Sequence, residues 1–173
     1  EGDPRFVDAR GGCKLLGEKE LYRNGGFAFS LMPTDGYTAL IVVERNEIKE
    51  VGGTLAFRLE NQNARPQPLR VVGSAAGHYD NTTGIFSGRG DIRLESDLEF
   101  AMGANKIVLE RGSGGMTEIE KNELKRLGGT LKGRFDDADG PLVRVQASGD
   151  FNAETPELER LEGSATLLRE LTL

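Results

Sequence analysis

Residues Asn46 to Asn61, NEIKEVGGTLAFRLEN, return 76 positions later as NELKRLGGTLKGRFDD, Asn122 to Asp137. Without a gap, 8 of the 16 positions are identical, where unrelated segments of average composition share about one. The likeness extends outward. Upstream, IVVER (Ile41 to Arg45) matches IVLER (Ile107 to Arg111), which requires ten extra residues, GSGGMTEIEK, in the second copy. Downstream, PLRVVGSAAGHYDN (Pro68 to Asn81) matches PLVRVQASGDFNA (Pro141 to Ala153), and GRGDIRLE from Gly88 matches EGSATLLRE from Glu162. A third relative, ARGGCKLLGE, opens at Ala9. A repeat of this kind is one structural unit used twice. We therefore expect a single domain over 1–173, with copy one over about 9–87 and copy two over about 88–173.

The unit reads as strands. Short apolar runs of period two occur at 37–45, 54–60, 69–75, 85–95, 98–109, 129–135, 142–147 and 164–171, rich in the Val, Ile, Leu, Thr and Phe that suit a pleated surface. Between them lie turn signals: Asp35-Gly36, Gly52-Gly53, the Asp80 to Gly84 stretch, Gly128-Gly129 and Asp139-Gly140. Glycine supplies the positive φ that tight hairpins need, and the 24 glycines of the chain fit many such turns. The spacing predicts an all-β, antiparallel jelly-roll or sandwich. At most one short helix is expected, near 117–127, where Thr117 and Glu120 form a capping box and Gly128 offers a left-handed end.

Charge and composition exclude several roles. A net charge of −6 with interspersed signs lacks the basic footprint of a nucleic-acid partner. Cys13 is the one cysteine and His78 the one histidine, so neither a disulfide nor a zinc centre can form within one chain. No metal and no cofactor are expected. The chain opens at Glu1 rather than Met, which suggests a processed or trimmed start; no signal peptide or anchor is visible in the sequence.

Each chemically suggestive motif has a plainer structural reading. A Ser-His-Asp or Cys-His device has to use His78, yet the second copy has Asp150 there. Arg89-Gly90-Asp91 spells an adhesion tripeptide, and its counterparts, Gly11-Gly12-Cys13 and Glu162-Gly163-Ser164, keep just the glycine that opens a strand. Asp136 to Gly140 starts like a calcium loop, but Pro141-Leu142-Val143 follows where further oxygen ligands belong, so a hairpin tip is expected. Gly112-Ser113-Gly114-Gly115 has the glycines of a phosphate cradle without a following lysine, and reads as a loop. No catalytic residue is assigned.

What remains is apolar surface. Alternation gives the strands one greasy side, carried by Phe27, Phe29, Leu31, Leu55, Phe57, Leu59, Ile92, Leu94, Phe100, Met102, Leu131 and Phe135. Facing sheets bury such sides as a core, and splayed sheets present them to an apolar ligand.

The stretch from Arg70 to Gly112, RVVGSAAGHYDNTTGIFSGRGDIRLESDLEFAMGANKIVLERG, resembles the repeat of the periplasmic lipopolysaccharide-transport domains of the OstA-like β-jelly-roll family. Ala76, Tyr79, Asp80, Thr83, Gly84, Gly90, Ile92 and Leu94 occupy the matching places, and the pattern recurs with Phe151, Asn152 and Gly163. The resemblance implies an open roll whose apolar trough holds acyl chains, and protomers that associate through edge strands, with like or unlike partners. It implies a non-enzymatic module binding lipid or lipopolysaccharide in the periplasm or cell envelope, with the twelve apolar residues above lining the trough. Two alternatives remain: a structural or adhesive envelope sandwich, and a small-ligand barrel, since TGIFSGRGD is also similar to allene-oxide-cyclase-like barrels. Tyr79 and His78 are the residues a barrel enzyme has to use.

Overall fold

The computed structural model describes residues 7–64, 67–155 and 157–169. These form thirteen strands and no helix: β1 (Ala9–Cys13), β2 (Lys19–Asn24), β3 (Phe27–Met32), β4 (Ala39–Glu44), β5 (Glu47–Asn61), β6 (Leu69–Asp80), β7 (Ile85–Leu94), β8 (Leu98–Met102), β9 (Asn105–Leu109), β10 (Gly114–Glu120), β11 (Glu123–Asp137), β12 (Gly140–Asn152) and β13 (Glu157–Leu167). The all-β, antiparallel expectation holds. All strands belong to one open sheet in the order β1-β4-β5-β6-β7-β10-β11-β12-β13, with the β2–β3 and β8–β9 hairpins as side branches. Strands in extensive contact are the hydrogen-bonded neighbours. A curled form of this sheet is compatible with a jelly-roll.

The pairing repeats. β5 meets β4 along its first half and β3 along its second, while β6 lines its other edge. β11 does the same with β10, β9 and β12. The runs β2–β7 and β8–β13 thus share one connectivity. Four of the eight identical positions of the motif shared by β5 and β11 have a direct structural reason. Asn46 and Asn122 hold positive φ, 67° and 68°, in the two-residue turns that open β5 and β11, a conformation asparagine tolerates well. Two residues apart on one strand face, Glu47 pairs with Lys49 at 2.6 Å and Glu123 with Lys125 at 2.9 Å. The second glycine of each Gly-Gly lies where the long strand changes partners. A Cβ on Gly53 would stand 2.3 Å from the Thr38 carbonyl oxygen, and one on Gly129 would stand 2.8 Å from that of Gly114. No side chain fits there without moving a strand.

Packing across the copies is complementary. In the first, the Phe57 ring fills the space over Gly73, where a Cβ would lie 2.4 Å from it. In the second, the same pair is Gly133 opposite Val145. The large residue has changed strands.

Several expectations are corrected. The helix near 117–127 is a hairpin of β10 and β11. Lys121 and Asn122 turn the chain with φ of 52° and 68°, and the slot between β7 and β11 gives β10 two rows of backbone partners, which no helix there can match. Gly52-Gly53 and Gly128-Gly129 are not turns but strand interior, chosen for close backbone approach. The run 98–109 is the β8–β9 hairpin, broken at Gly103 with φ 67°. Nor is GSGGMTEIEK an insertion. The counterpart of Ile41–Arg45 is Thr117–Lys121, both preceding the long strand, whereas Ile107 lies opposite Phe135 as Phe29 lies opposite Leu59.

Candidate functional site

In an antiparallel sheet, residues directly opposite one another share a face, and the face alternates along each strand. From β5 outward the register is unambiguous. Leu55, Phe57 and Leu59 lie opposite Ala75, Gly73 and Val71 of β6, which lie opposite Gly90, Ile92 and Leu94 of β7. Phe29 and Leu31 face Leu59 and Phe57, with Phe27 two residues from Phe29 on the same side. Across β7, Ile92 meets Gly115, which meets Gly129, placing Leu131 and Phe135 on this face too. Phe100 lies opposite Ile107, itself opposite Phe135, and Met102 keeps Phe100's side. All twelve apolar residues singled out in the sequence therefore share one face of one sheet.

The face is larger than those twelve. Ile41, Val51, Tyr79, Phe86, Leu127, Val145, Phe151 and Leu161 join it. The missed signal was the alternation continuing through Gly52-Gly53 and Gly128-Gly129, which was broken by reading them as turns. Much of the face meets solvent: Ile92 is 54% exposed, Leu131 52% and Leu161 71%. The chain exposes 11735 Å², against the roughly 8,300 Å² expected of a compact protein of this mass.

Among the hollows of the face, two of nearly equal size lie one at each Gly-Gly, and a smaller one of about 390 Å³ lies between them over Gly90 and Gly115. The larger, about 530 Å³, has Gly115, Gly129 and Gly149 in its floor and Ile92, Leu109, Leu131 and Leu161 along its walls. The other, about 520 Å³, runs over Gly53, Gly77 and Gly88 between Val51, Leu55, Phe86 and Ile119. Gly53 and Gly129, like Gly77 and Gly149, hold equivalent places in the two runs. Absent side chains make the floor, and neighbouring Leu, Ile, Val and Phe make the walls. Both volumes fall in the roughly 300–1,000 Å³ range of small-ligand sites.

The opposite face is polar and carries an ion-pair network at the β9–β11 branch. Asp136, 2% exposed, receives two hydrogen bonds from Arg134, Nε to Oδ1 at 2.6 Å and Nη2 to Oδ2 at 3.2 Å. Lys106 stands 3.6 Å away. Glu110 accepts from both Arg134 and Arg144. The Arg134 hydrogen bond holds the Asp136 carboxyl below its ordinary value, against the opposing pull of burial. Beside it, Val108 is fully buried, and the Ser113 hydroxyl, with one proton to share, lies 2.9 Å from the Glu110 carbonyl and 3.1 Å from that of Lys132 while accepting from the Lys132 N–H. This cluster fixes the branch; every charge in it is answered by another.

The remaining motifs take their plainer readings. His78 and Tyr79 are successive residues of β6 and point to opposite faces, so they do not converge. Asp150 lies opposite Gly128 as His78 lies opposite Gly52. Arg89-Gly90-Asp91 is held within β7 between two strands; its β1 counterpart by register is Arg10-Gly11-Gly12, one residue from the sequence alignment. Asp137 and Asp139 sit at a hairpin tip and pair with Arg169, and among the described residues no group of His, Cys, Asp and Glu could hold a metal ion. Of Gly112 to Gly115, expected as a loop, Gly114 and Gly115 instead open β10, paired with β7 and β11, and a Cβ on Gly114 would stand 2.2 Å from the Ile92 carbonyl oxygen. Comparison with protein-family models, with curated proteins and with solved structures returned no match to this chain.

Proposed function

We propose that this chain is a non-enzymatic lipid-binding module whose paired grooves hold acyl chains, lipopolysaccharide or another envelope lipid being the class its strand resemblance implies. The observation that carries the reading is the apolar face itself, running across both runs and hollowed in each at equivalent glycines. A fully buried methylene gains about 0.8 kcal/mol. On an open face roughly half of each methylene is covered, so a twelve-carbon chain gains roughly 4–5 kcal/mol, a Kd near millimolar. One chain alone is therefore held weakly. A lipid with several chains on one headgroup can engage both grooves, and its second chain binds as an intramolecular event. A barrel enzyme fits less well, because β1 and β13 do not pair and His78 and Tyr79 diverge.

The test compares dodecanoate with lipid A, a multi-chain lipid, by native mass spectrometry and equilibrium dialysis. The expected result is weak dodecanoate binding and much tighter lipid A binding. Ile92→Asp with Leu131→Asp should weaken both at least tenfold, whereas Ser164→Asp on the polar face should change neither. Absence of bound lipid, or equal loss in both variants, overturns the proposal.

A further inference from the structure

The first glycine of each Gly-Gly serves the polar face as the second serves the apolar one. Leu40 and His78 lie opposite Gly52 on its two neighbouring strands, and Met116 and Asp150 lie opposite Gly128 in the same way. A Cβ on Gly128 would meet both Asp150 Oδ1 and Met116 Cγ, and one on Gly52 would stand 3.5 Å from His78 Nδ1. His78, Met116 and Asp150 thus lean in over side chains that are missing. A polar hollow lies beside each place, about 520 Å³ at Leu40 and His78 and about 420 Å³ at Met116 and Asp150. Thr54 and Thr130 hold equivalent positions in them.

The two hollows differ in charge. The first sets Arg89 against Glu118 and Glu120. The second sets Arg93 and Arg160 against Asp91 and Asp150, with the Thr130 and Ser148 hydroxyls and Met116 between them. Part of this second set is already engaged. Ser74 Oγ donates to Asp91 at 2.5 Å, Arg160 pairs with Glu162 at 2.6 Å, and Asp150 stands 3.9 Å from Arg126. Among the described residues, the side chains of Arg93, Thr130 and Ser148 have no hydrogen-bond or ion-pair partner. Arg93 can only donate, the Asp150 carboxylate can only accept, and the two hydroxyls do both.

We propose that the hollow between Arg93, Met116, Thr130, Ser148 and Asp150 is a binding site for a neutral saccharide. A cleft of one sign gathers ions of the other, and two arginines facing two aspartates give neither sign the advantage. Sugar hydroxyls donate and accept in turn, which matches the groups left open. The apolar side of a sugar ring finds a surface in the Met116 thioether, an adaptable contact. The volume lies within the roughly 300–1,000 Å³ of small-ligand sites. The first hollow has an excess of carboxylate from Glu118 and Glu120, lacks this balance and is no part of the site. The saccharide site faces away from the apolar grooves, so it stands or falls separately from lipid binding.

The experiment uses the full chain with methyl-labelled methionine. There are three methionines, and Met32 in β3 and Met102 in β8 serve as references for Met116 in β10. Maltotriose, cellotriose and chitotriose are titrated in turn and followed by nuclear magnetic resonance. At least one should shift the Met116 methyl to saturation while Met32 and Met102 stay in place. Thr130→Val with Ser148→Ala should raise the fitted Kd at least fivefold, with unmoved Met32 and Met102 signals reporting an intact fold. Thr54→Val, the equivalent change beside Gly52, should leave the Kd as it was. The proposal is overturned if no trisaccharide moves Met116 up to its solubility, or if all three methyls move together. It is overturned equally if removing both hydroxyls leaves the Kd unchanged, or if inorganic phosphate or spermidine moves Met116 at lower concentration than any of the sugars.

Discussion

Replacing Gly53 by alanine tests the account of the Gly-Gly repeat in energetic terms. The added Cβ would lie 2.3 Å from the Thr38 carbonyl oxygen and 3.2 Å from the Ala39 Cα. Ordinary contact requires a retreat of about 1 Å, and the opposing atoms are backbone, which cannot rotate away. The movement must come from the start of β4, where the Thr54 N–H donates to the Tyr37 carbonyl at 2.8 Å. Overpacking of this kind costs about 1–3 kcal/mol, and loss of that hydrogen bond about 1 kcal/mol more. Against this, alanine restricts the unfolded chain and returns about 0.4–1 kcal/mol. The net expectation is a destabilisation of about 2–3 kcal/mol. The control is Gly163→Ala, whose Cβ meets nothing closer than 3.5 Å and should be neutral or mildly stabilising. The chain has no tryptophan, so urea unfolding is followed by far-ultraviolet circular dichroism. A Gly53→Ala midpoint shift equivalent to less than about 0.5 kcal/mol, the size of an ordinary surface effect, refutes the reasoning.

Other consequences follow from the same geometry. Arg134→Ala leaves the buried Asp136 carboxylate with Lys106 as its nearest charge partner, and should cost about 3 kcal/mol in the same assay. Because the Arg134 hydrogen bond depresses the Asp136 pKa in the folded chain, the unfolded chain takes up the proton first as pH falls. Its contribution is thus intact above the ordinary aspartate value of 3.8 and is lost below it; Asp136→Asn should flatten the fall in stability measured from pH 5 downward. Asn122→Ala removes a left-handed turn residue and two side-chain hydrogen bonds, to the Phe86 N–H and the Gly84 carbonyl, for an expected loss of about 2 kcal/mol. Ile92→Asp and Leu131→Asp, on a face already half in water, should each change unfolding free energy by less than about 1 kcal/mol while weakening lipid binding.

The strand class, the apolar side and the relatedness of 46–61 and 122–137 were legible because alternation and identity are local signals. The side held even where boundaries did not, since a period of two fixes the face of every residue once one is placed. What the sequence hid was the use of glycine. Gly-Gly spells a turn by propensity, and here it is straight strand where two branches part, a distinction that depends on Thr38 and Gly114, fifteen residues upstream in each case and brought close by strand pairing. The false helix arose from end signals that are equally local: Thr117 and Glu120 spell a capping box and Gly128 a left-handed stop, yet all three are paired strand residues of β10 and β11. The single-residue offset in the β1 alignment had a similar origin, because Gly11 and Gly12 look alike until Val7 and Asn46 are seen clasped by two hydrogen bonds. The grooves were out of reach altogether, being made of side chains that are missing.

The central claim is that one face of this sheet receives acyl chains and the other does not. Spin-labelled stearate added to methyl-labelled protein reads this directly by nuclear magnetic resonance. The account predicts selective broadening of the methyls of Ile92, Leu131 and Leu55, with those of Val42, Val72 and Leu142 on the polar side left sharp. Equal broadening on both faces, or none at stearate concentrations where dodecanoate is bound, contradicts it.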